Sequence, residues 1–172
     1  MEQNELFARY QYWSANVDAE MKAELEAIKE NETELEDRFY CDLSFGTAGM
    51  RGIMGAGTNR MNIYTVRKAT RGLAAWLKKQ SESNSVAIAW DTRIHSADFA
   101  MEAALTLGGC GIKAYLFQMP SATPLLSYAV RKLNCDAGIV ITASHNTKEY
   151  NGYKVYDRHG CQMVSEEAAE VA

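Results

Sequence analysis

The residues best suited to chemistry lie in one short segment near the end of the chain. Ser144, His145 and Asn146 follow residues 136–141, an apolar run rich in β-branched residues, and Lys154 comes shortly after them. Such a run is typical of a buried strand, so Ser144 is expected at a strand's carboxyl end, where open α/β sheets bind ligands. A serine in that position can act as a nucleophile. The alternative is that Ser144 and Asn146 only bond the backbone of a turn and that Lys154 is a solvated charge.

The distribution of charge points to an anionic partner for an earlier segment. Acids outnumber bases in residues 1–42, whereas residues 46–79 contain basic residues and no acid. Most of these bases are expected on the solvated face of a helix: Arg67, Lys68, Arg71, Lys78 and Lys79. Arg51 and Arg60 belong instead to a glycine-rich stretch. A phosphorylated small molecule is a suitable partner for this region.

Composition and motifs exclude several classes of function. The net charge is −4 and no nucleic-acid-binding motif is present, so we expect no nucleic-acid partner. The chain has no apolar run of about 18 residues and no basic-then-apolar leader, so we expect no membrane association and a cytoplasmic location. The glycines of residues 52–58 fit neither a P-loop nor a dinucleotide fingerprint, and Ser144 lacks the flanking glycines of a hydrolase elbow.

Three segments together resemble one known family. Residues 142–154 resemble the phosphoserine loop of the α-D-phosphohexomutases, the family of phosphoglucomutase and phosphomannomutase, in which T-A-S-H-N-P is followed by N-G-x-K. Residues 45–52 resemble the family's F-G-T-S-G-x-R-G loop, and residues 91–93 resemble the D-T-R segment between the two. Thr147 replaces the usual proline, which makes the loop less rigid. Residues 52–60 look most like the phosphoglucomutase branch that also acts on pentose phosphates.

The resemblance implies a reaction. Ser144 would carry a phosphoryl group, transfer it to a hydroxyl of a sugar monophosphate, and recover one from the resulting bisphosphate after that intermediate reorients. The outcome is interconversion of 1-phosphate and 6-phosphate of glucose or mannose, or of 1-phosphate and 5-phosphate of a pentose. The resemblance also implies Mg²⁺ as cofactor, held in this chain only by the phosphate on Ser144, and a sugar bisphosphate as activator.

The resemblance also implies roles for single residues. Arg51 would contact phosphate oxygens in a bidentate manner, and Lys154 would screen charge or exchange a proton with the reacting hydroxyl. His145 would act as a base or orient the loop, and the choice between His145 and Lys154 as proton carrier stays open. The implied catalytic residues are Ser144, His145, Lys154 and Arg51. Those implied to bind the substrate and its phosphate are Thr47, Arg51, Asn146 and Lys154.

Other parts of the family's machinery are missing from this sequence. It contains no D-G-D-x-D-R magnesium loop, no G-E-x-S-G sugar loop and no R-x-S-G-T phosphate loop. We therefore expect a fragment of a longer enzyme, inactive alone, whose partners are a phosphosugar and the remaining domains. The alternative is a stand-alone module that binds phosphosugars or a partner protein without turnover. Ser165 is expected to begin a last helix that the chain's end cuts short.

The elements predicted around these residues alternate. Residues 1–42 are expected to form a helical extension with two amphipathic helices, the second capped by Asp18. Residues 43–172 are expected to form the domain itself, with helices capped by Asn62 and Ser96 and a third starting at Thr123. Gly108 and Gly109 are expected to end the second of these helices. Predicted strands at 85–90, 112–117 and 136–141 lie between the helices, and a hairpin or edge strand follows the Ser144 loop.

This order of elements predicts the fold class. A β-α-β-α-β alternation is typical of an α/β protein in which helices cover both faces of a largely parallel sheet. We therefore expect a three-layer α/β/α domain with a mixed, mostly parallel sheet, preceded by amino-terminal helices.

Overall fold

The computed structural model describes residues 3–46, 49–81 and 84–163. Three helices precede an alternation of strands and helices. In chain order the elements are α1 (Gln3–Asn16), α2 (Ala19–Ile28), α3 (Glu32–Phe39), β1 (Met50–Ile53), α4 (Ile63–Gln80), β2 (Ser85–Trp90), α5 (Ser96–Gly109), β3 (Lys113–Leu116), α6 (Thr123–Lys132), β4 (Ala137–Ile141) and β5 (Tyr150–Tyr156). Ser165 and the expected last helix lie outside the described residues.

The five strands form one mixed sheet in the order β1-β5-β4-β2-β3. β2 pairs in parallel with β3 and β4, whereas β5 is antiparallel to both β4 and β1. Four strands therefore share one direction and β5 alone opposes them. The carboxyl ends of β4 and β2 meet at one edge of the sheet, and β5 starts there.

Helices cover both faces of the sheet, so the predicted three-layer α/β/α class is confirmed. Ile88 of β2 belongs to the core under α4 and α5, with Leu73 and Leu107. Its neighbours in β2, Ala87 and Ala89, belong to the opposite core under α6. This alternation of faces is the two-residue period of a strand, and the fully buried pattern of β4 fits a strand covered on both sides.

The amino-terminal part contains three helices, not the two expected from sequence. Helix α3 was missed because it is short and largely charged, with Leu35 and Phe39 as its buried residues. These two residues pack in a separate apolar cluster with Tyr10, Leu25 and Ala56. Ala56 belongs to the loop that follows β1, so the three helices hold that loop. The boundary at residue 42 stays a prediction.

Helix ends test the capping predictions. Asn62 caps α4 in a reciprocal capping box with Thr65, and Asp18 caps α2, as expected. The prediction for Ser96 is wrong: His95, with φ 60°, occupies the cap position, and Ser96 is the first helical residue. Helix α5 ends at Gly109, within the predicted glycine pair, although the sequence predicts Leu107 as its last residue. Both glycines are helical, and the left-handed position after the helix is Gly111, with φ 75°.

Candidate active site

Ser144 lies at the carboxyl end of the central strand β4, as the sequence predicts. Strand β4 ends at Ile141, Thr142 and Ala143 are buried, and Ser144 is the first exposed residue. Its backbone has φ 57°, a conformation that costs roughly 1–2 kcal/mol for a residue with a Cβ. The Ser144 amide donates to Thr142 Oγ1 at 3.0 Å, and this bond holds the turn. The serine hydroxyl therefore projects from a tight, strained turn into solvent.

The His145 side chain lies within reach of the Ser144 hydroxyl. Its Nδ1 lies 3.4 Å from Ser144 Oγ, and both side chains are exposed. This is a long contact for a hydrogen bond to a hydroxyl. The geometry is compatible with either role expected for His145, a base or an orienting group.

Arg51 and Asn146 meet at the same edge of the sheet. Arg51 is on β1, which pairs with β5, and its exposed side chain alternates with the buried Met50. Its Nη1 donates a 2.8 Å hydrogen bond to Asn146 Oδ1. Two of the predicted site residues are thus joined directly, and the guanidinium is placed beside the Ser144 loop.

Lys154 is on β5, opposite Val140 of β4. Its side chain is half-buried, and burial lowers the pKa of the ammonium group below its ordinary value of 10.5. The nearby positive charge of Arg51 lowers the pKa further. A lysine with a depressed pKa beside another cation is suited to exchanging protons and to binding a strongly anionic group.

Gly49, in the glycine-rich stretch before Arg51, lies against β5 beside Lys154. Gly46 and Gly49 exchange backbone hydrogen bonds of 3.0 and 2.8 Å, so the ends of the loop are held together. Gly49 has φ 84°, and a Cβ there would lie 2.1 Å from Tyr153 O and 2.9 Å from Lys154 Cα. Only glycine allows this approach. Thr47, expected to bind phosphate, lies outside the described residues.

Arg60 does not belong to the site, although the sequence grouped it with Arg51. Its side chain is 7% exposed and pairs with the carboxylate of Asp37 in the helical extension. It also donates to the carbonyl of Asp37, so it holds the loop after β1 against α3. The glycine-rich composition around Arg60 suggested a loop open to ligands, and burial under α3 overrides that suggestion.

Arg93 is the main functional residue that sequence reasoning did not place in the site. Its Nη1 donates to the carbonyls of Thr147 and Tyr150 at 2.8 and 3.1 Å. Its Nη2 donates to the carbonyls of Ser144 and Asn146 at 2.9 and 2.6 Å. One guanidinium therefore binds four carbonyls of the Ser144 loop. The signal in the sequence was the D-T-R segment directly after a predicted strand.

A network of polar residues at the ends of β2 and β5 holds the backbone of Arg93 in place. Asp91 Oδ1 accepts from the Arg93 amide at 3.0 Å and from Ser96 Oγ at 2.7 Å. Asn151 Nδ2 donates to Ser96 Oγ and to the Ile94 carbonyl, both at 3.0 Å. Ser96 and Asn151 are fully buried, so the bond between them is made without competition from water. The ends of β2 and β5 are thereby joined under the loop.

Arg51, Ser144 and His145 are exposed in the described structure. A cavity of about 540 Å³ opens between α1, α4 and residues 42–45, and Trp13, Tyr64 and Lys68 line it.

Within residues 3–46, 49–81 and 84–163, no group of three His, Cys, Asp or Glu side chains is placed to hold a metal ion. No helix in the same ranges is long and apolar enough to cross a membrane.

The fold and the site define an α/β/α domain whose central strand presents a serine flanked by cationic side chains. Residues 42–172 match the family description "Phosphoglucomutase/phosphomannomutase, alpha/beta/alpha domain I". The chain belongs to this family, as its domain I.

Individual relatives agree with the family match. The chain is 45% identical to a phosphoglucomutase of Staphylococcus haemolyticus over 80% of its own length and 25% of the relative's. It is 41% identical to a phosphoglucomutase of Staphylococcus saprophyticus over 93% of its own length and 29% of the relative's. A Thermus thermophilus protein assigned as a phosphomannomutase superposes with a TM-score of 0.71, at 33% identity, over 76% of this chain and 29% of that one. The chain thus spans between a quarter and a third of the length of these relatives.

Proposed function

We propose that this chain is the phosphoserine-bearing domain of a phosphosugar mutase that interconverts hexose 1-phosphate and hexose 6-phosphate. The observation that carries the proposal is the exposed Ser144 at the carboxyl end of β4, with Arg51, Asn146 and Lys154 at the same edge, in a chain of this family. Relatives named phosphoglucomutase favour glucose phosphate as the substrate.

The proposed reaction has two transfers that balance each other. In the first, the bond between Ser144 Oγ and phosphorus breaks, a bond from phosphorus to the sugar hydroxyl oxygen forms, the hydroxyl proton passes to a base, and Ser144 Oγ takes up a proton. The resulting bisphosphate reorients. Ser144 Oγ then gives its proton to a base and attacks the other phosphate, the bond from phosphorus to the sugar oxygen breaks, and that oxygen takes up a proton. The enzyme regains its phosphoryl group, so the complete reaction consumes no phosphate.

The side chains of this chain serve the transfers mainly through charge. Phosphoryl transfer spreads negative charge over the equatorial oxygens, and fixed cations stabilise that charge. Arg51 supplies a guanidinium positioned by Asn146. Lys154 is the favoured proton carrier in this proposal because its lowered pKa brings the neutral form within easier reach. His145, 3.4 Å from Ser144 Oγ, would orient the serine or share that role.

The described residues do not fit a complete magnesium site. Mg²⁺ prefers near-octahedral oxygen coordination, and no group of three His, Cys, Asp or Glu side chains converges within the described ranges. The phosphate on Ser144 would offer an oxygen to the ion. The other ligands are proposed to come from the rest of the enzyme, so no step is assigned to the metal here.

The rest of the enzyme is also proposed to enclose the substrate. Ligand pockets of enzymes bury most of the ligand surface, whereas Ser144 and His145 are exposed on this domain. The sugar, magnesium and carboxyl-terminal phosphate loops of the family are absent from these 172 residues. We therefore propose that further domains of the same enzyme complete the cleft. Pentose phosphate as a second substrate and a cytoplasmic location are part of this proposal.

The test uses the full-length protein that contains this chain. It is incubated with glucose 1,6-bisphosphate, and the phosphorylated residue is located by intact mass and peptide mapping. We expect one phosphate, on Ser144, and conversion of glucose 1-phosphate to glucose 6-phosphate. Ser144→Ala is expected to abolish both, whereas Ser121→Ala, on a loop after β3, is expected to retain both.

Two results would contradict the proposal. Phosphate mainly on another residue, or full turnover by Ser144→Ala, would remove Ser144 from the mechanism. A full-length protein that binds glucose 1-phosphate without converting it would favour the alternative function, a module that binds phosphosugars without turnover.

A further inference from the structure

Arg93 uses its donors inside the protein. Four N–H groups of its guanidinium bind the carbonyls of Ser144, Asn146, Thr147 and Tyr150. The remaining one, on Nε, lies 3.5 Å from Asp91 Oδ2. The side chain is only 15% exposed. Arg93 therefore uses four of its five guanidinium N–H groups inside the protein, and its effect on a substrate passes through the residues that it binds.

Because the peptide bond is planar, the hydrogen bonds to these carbonyls also fix the direction of the loop N–H groups. In a trans peptide, the C=O of one residue and the N–H of the next point in opposite directions. No peptide bond among the described residues is cis. The carbonyls of Ser144, Asn146 and Thr147 point at Arg93, so the N–H groups of the residues that follow them point away from it. Those residues are His145, Thr147 and Lys148.

These three N–H groups are also free of partners within the described parts of the chain. Other amides of this part of the chain have partners: Asn146 N donates to Ala143 O at 3.1 Å and Tyr150 N donates to Thr147 O at 3.2 Å. The amide of Ser144 is taken by Thr142. No acceptor is recorded for the amides of His145, Thr147 or Lys148 within residues 3–46, 49–81 and 84–163. Neighbouring backbone N–H groups without a protein partner can form a concave binding site for an anion.

We infer that Arg93 is a positioning residue: by holding the loop carbonyls on its own side, it turns the amides of His145, Thr147 and Lys148 toward the phosphoryl group carried by Ser144. This inference rests on the proposed function of Ser144. A guanidinium is needed because its planar fork presents donors to several acceptors at once, which the single ammonium of lysine cannot do in the same geometry.

Thr147 gives the inference a feature specific to this chain. The related loops of the family carry proline at this position, and proline has no N–H group. Thr147 therefore adds one amide donor to the set supplied by His145 and Lys148. Replacing Thr147 by proline removes this donor while leaving Arg93 and its four bonds in place, and the loop of the family accommodates proline there.

The experiment measures the ionisation of the phosphate on Ser144 by ³¹P NMR. The full-length protein is loaded with phosphate from glucose 1,6-bisphosphate and freed of divalent metal with EDTA, and the ³¹P shift is then followed against pH. A free phosphoserine has a second pKa of about 6. Amide donors stabilise the dianion, so we expect the pKa to be lower in the wild-type protein and to move up toward about 6 in Arg93→Lys. Thr147→Pro should move it in the same direction by a smaller amount.

Kinetics provide a second readout. Arg93→Lys is expected to lower kcat at least about 10-fold while KM for glucose 1-phosphate changes little, because Arg93 does not touch the substrate. Arg131→Lys is the matched control. Arg131 donates to the Ser127 carbonyl on the exposed side of α6, and its replacement should leave both the titration and kcat unchanged.

The outcomes separate the two claims. A wild-type protein that takes no phosphate on Ser144 would defeat the proposed function. A phosphorylated Ser144 with the same titration in folded Arg93→Lys and in Thr147→Pro would overturn the inference about Arg93. If Arg93→Lys does not fold, Thr147→Pro decides the matter: an unchanged titration overturns the inference, and an upward shift supports it.

Discussion

Arg51 Nη1 donates a 2.8 Å hydrogen bond to Asn146 Oδ1, joining two residues that are 95 positions apart in the chain. The bond links β1 to the loop after β4 across the intervening strand β5. Asn146 is held in turn by Arg93, which binds its carbonyl at 2.6 Å. The position of the Arg51 charge therefore depends on the conformation of the loop that carries Ser144. The same charge lowers the pKa of Lys154.

Arg51→Gln is expected to raise the pKa of Lys154. Burial is the larger cause of its depression and remains in the variant, so the pKa should rise without reaching 10.5. NMR titration of the Lys154 side chain in the 172-residue chain measures this. Arg71→Gln, at an exposed position of α4, is the control and should leave the Lys154 pKa unchanged. An unchanged Lys154 pKa in Arg51→Gln would show that the two charges do not interact.

The same pKa determines how Lys154 affects stability at alkaline pH. Because its pKa is lower in the folded protein, the unfolded chain binds more protons between the folded pKa and 10.5. The contribution of Lys154 to the free energy of unfolding therefore rises with pH across that window. In Arg51→Gln the window is narrower, so this rise should be smaller, as urea unfolding at several pH values can measure.

Gly152→Ala is expected to destabilise the domain by about 1–3 kcal/mol. A Cβ at this buried position would lie 2.7 Å from Thr142 O and 3.0 Å from Met50 O, and both are backbone atoms with little freedom to move. Gly108→Ala is the control, because a Cβ there meets nothing within 4 Å. In a helix, this change should raise stability by up to about 1 kcal/mol. Equal unfolding midpoints for the two variants in urea would contradict the packing described here.

Arg38→Ala is expected to lower the free energy of unfolding by about 2 kcal/mol. The Arg38 side chain is 13% exposed and pairs with Glu24 and Glu34, and it donates to the Ala56 carbonyl at 3.1 Å. Its loss would leave Glu24 partly buried without its cation. Lys29→Ala removes an exposed ion pair with Glu26 and should have no measurable effect. If both variants unfold alike in urea, the helical extension does not depend on Arg38.

The 172-residue chain alone is expected to fold but to lack mutase activity. Apolar cores pack on both faces of the sheet, whereas no cluster of metal ligands is present among the described residues. Circular dichroism checks folding, a coupled assay with glucose 1-phosphate and glucose 1,6-bisphosphate checks activity, and calorimetry checks magnesium binding, which should be weak. Substantial turnover by this chain alone would contradict a cleft shared with other domains.

Local sequence patterns predicted most of the sheet and its helices. Residues 85–90 were predicted as a strand with the bounds that the structure has, because an apolar, β-branched run between polar residues has few other solutions. Asn62 was predicted as a cap for the same local reason, and its side chain accepts from the amides of Tyr64 and Thr65. Helix α3 was not predicted because its sequence is mostly charged and has too few apolar residues to show a helical spacing.

Some side chains have a role in the structure that differs from the one their residue type predicts, because their partners are distant in sequence. Ser96 has the residue type of a helix cap, yet its hydroxyl serves Asp91 and Asn151 in the buried network. Arg60 has the surroundings of a phosphate ligand, yet it is buried against Asp37. Neither outcome can be derived from local sequence, because each depends on which elements the sheet brings together.

By itself, the sequence determined the alternation of strands and helices, the position of Ser144 after a buried strand, and the family resemblance of its loops. These properties depend on short-range patterns of apolar residues and on residue types at fixed spacing. Only the tertiary structure decided that Arg51 contacts Asn146, that Arg60 is withdrawn from the site, and that Arg93 holds the Ser144 loop by four carbonyls. The physical reason is that β5 pairs with β1 and β4 while β2 pairs with β4, which brings three separate segments to one edge of the sheet, and that Arg60 pairs with Asp37 of α3.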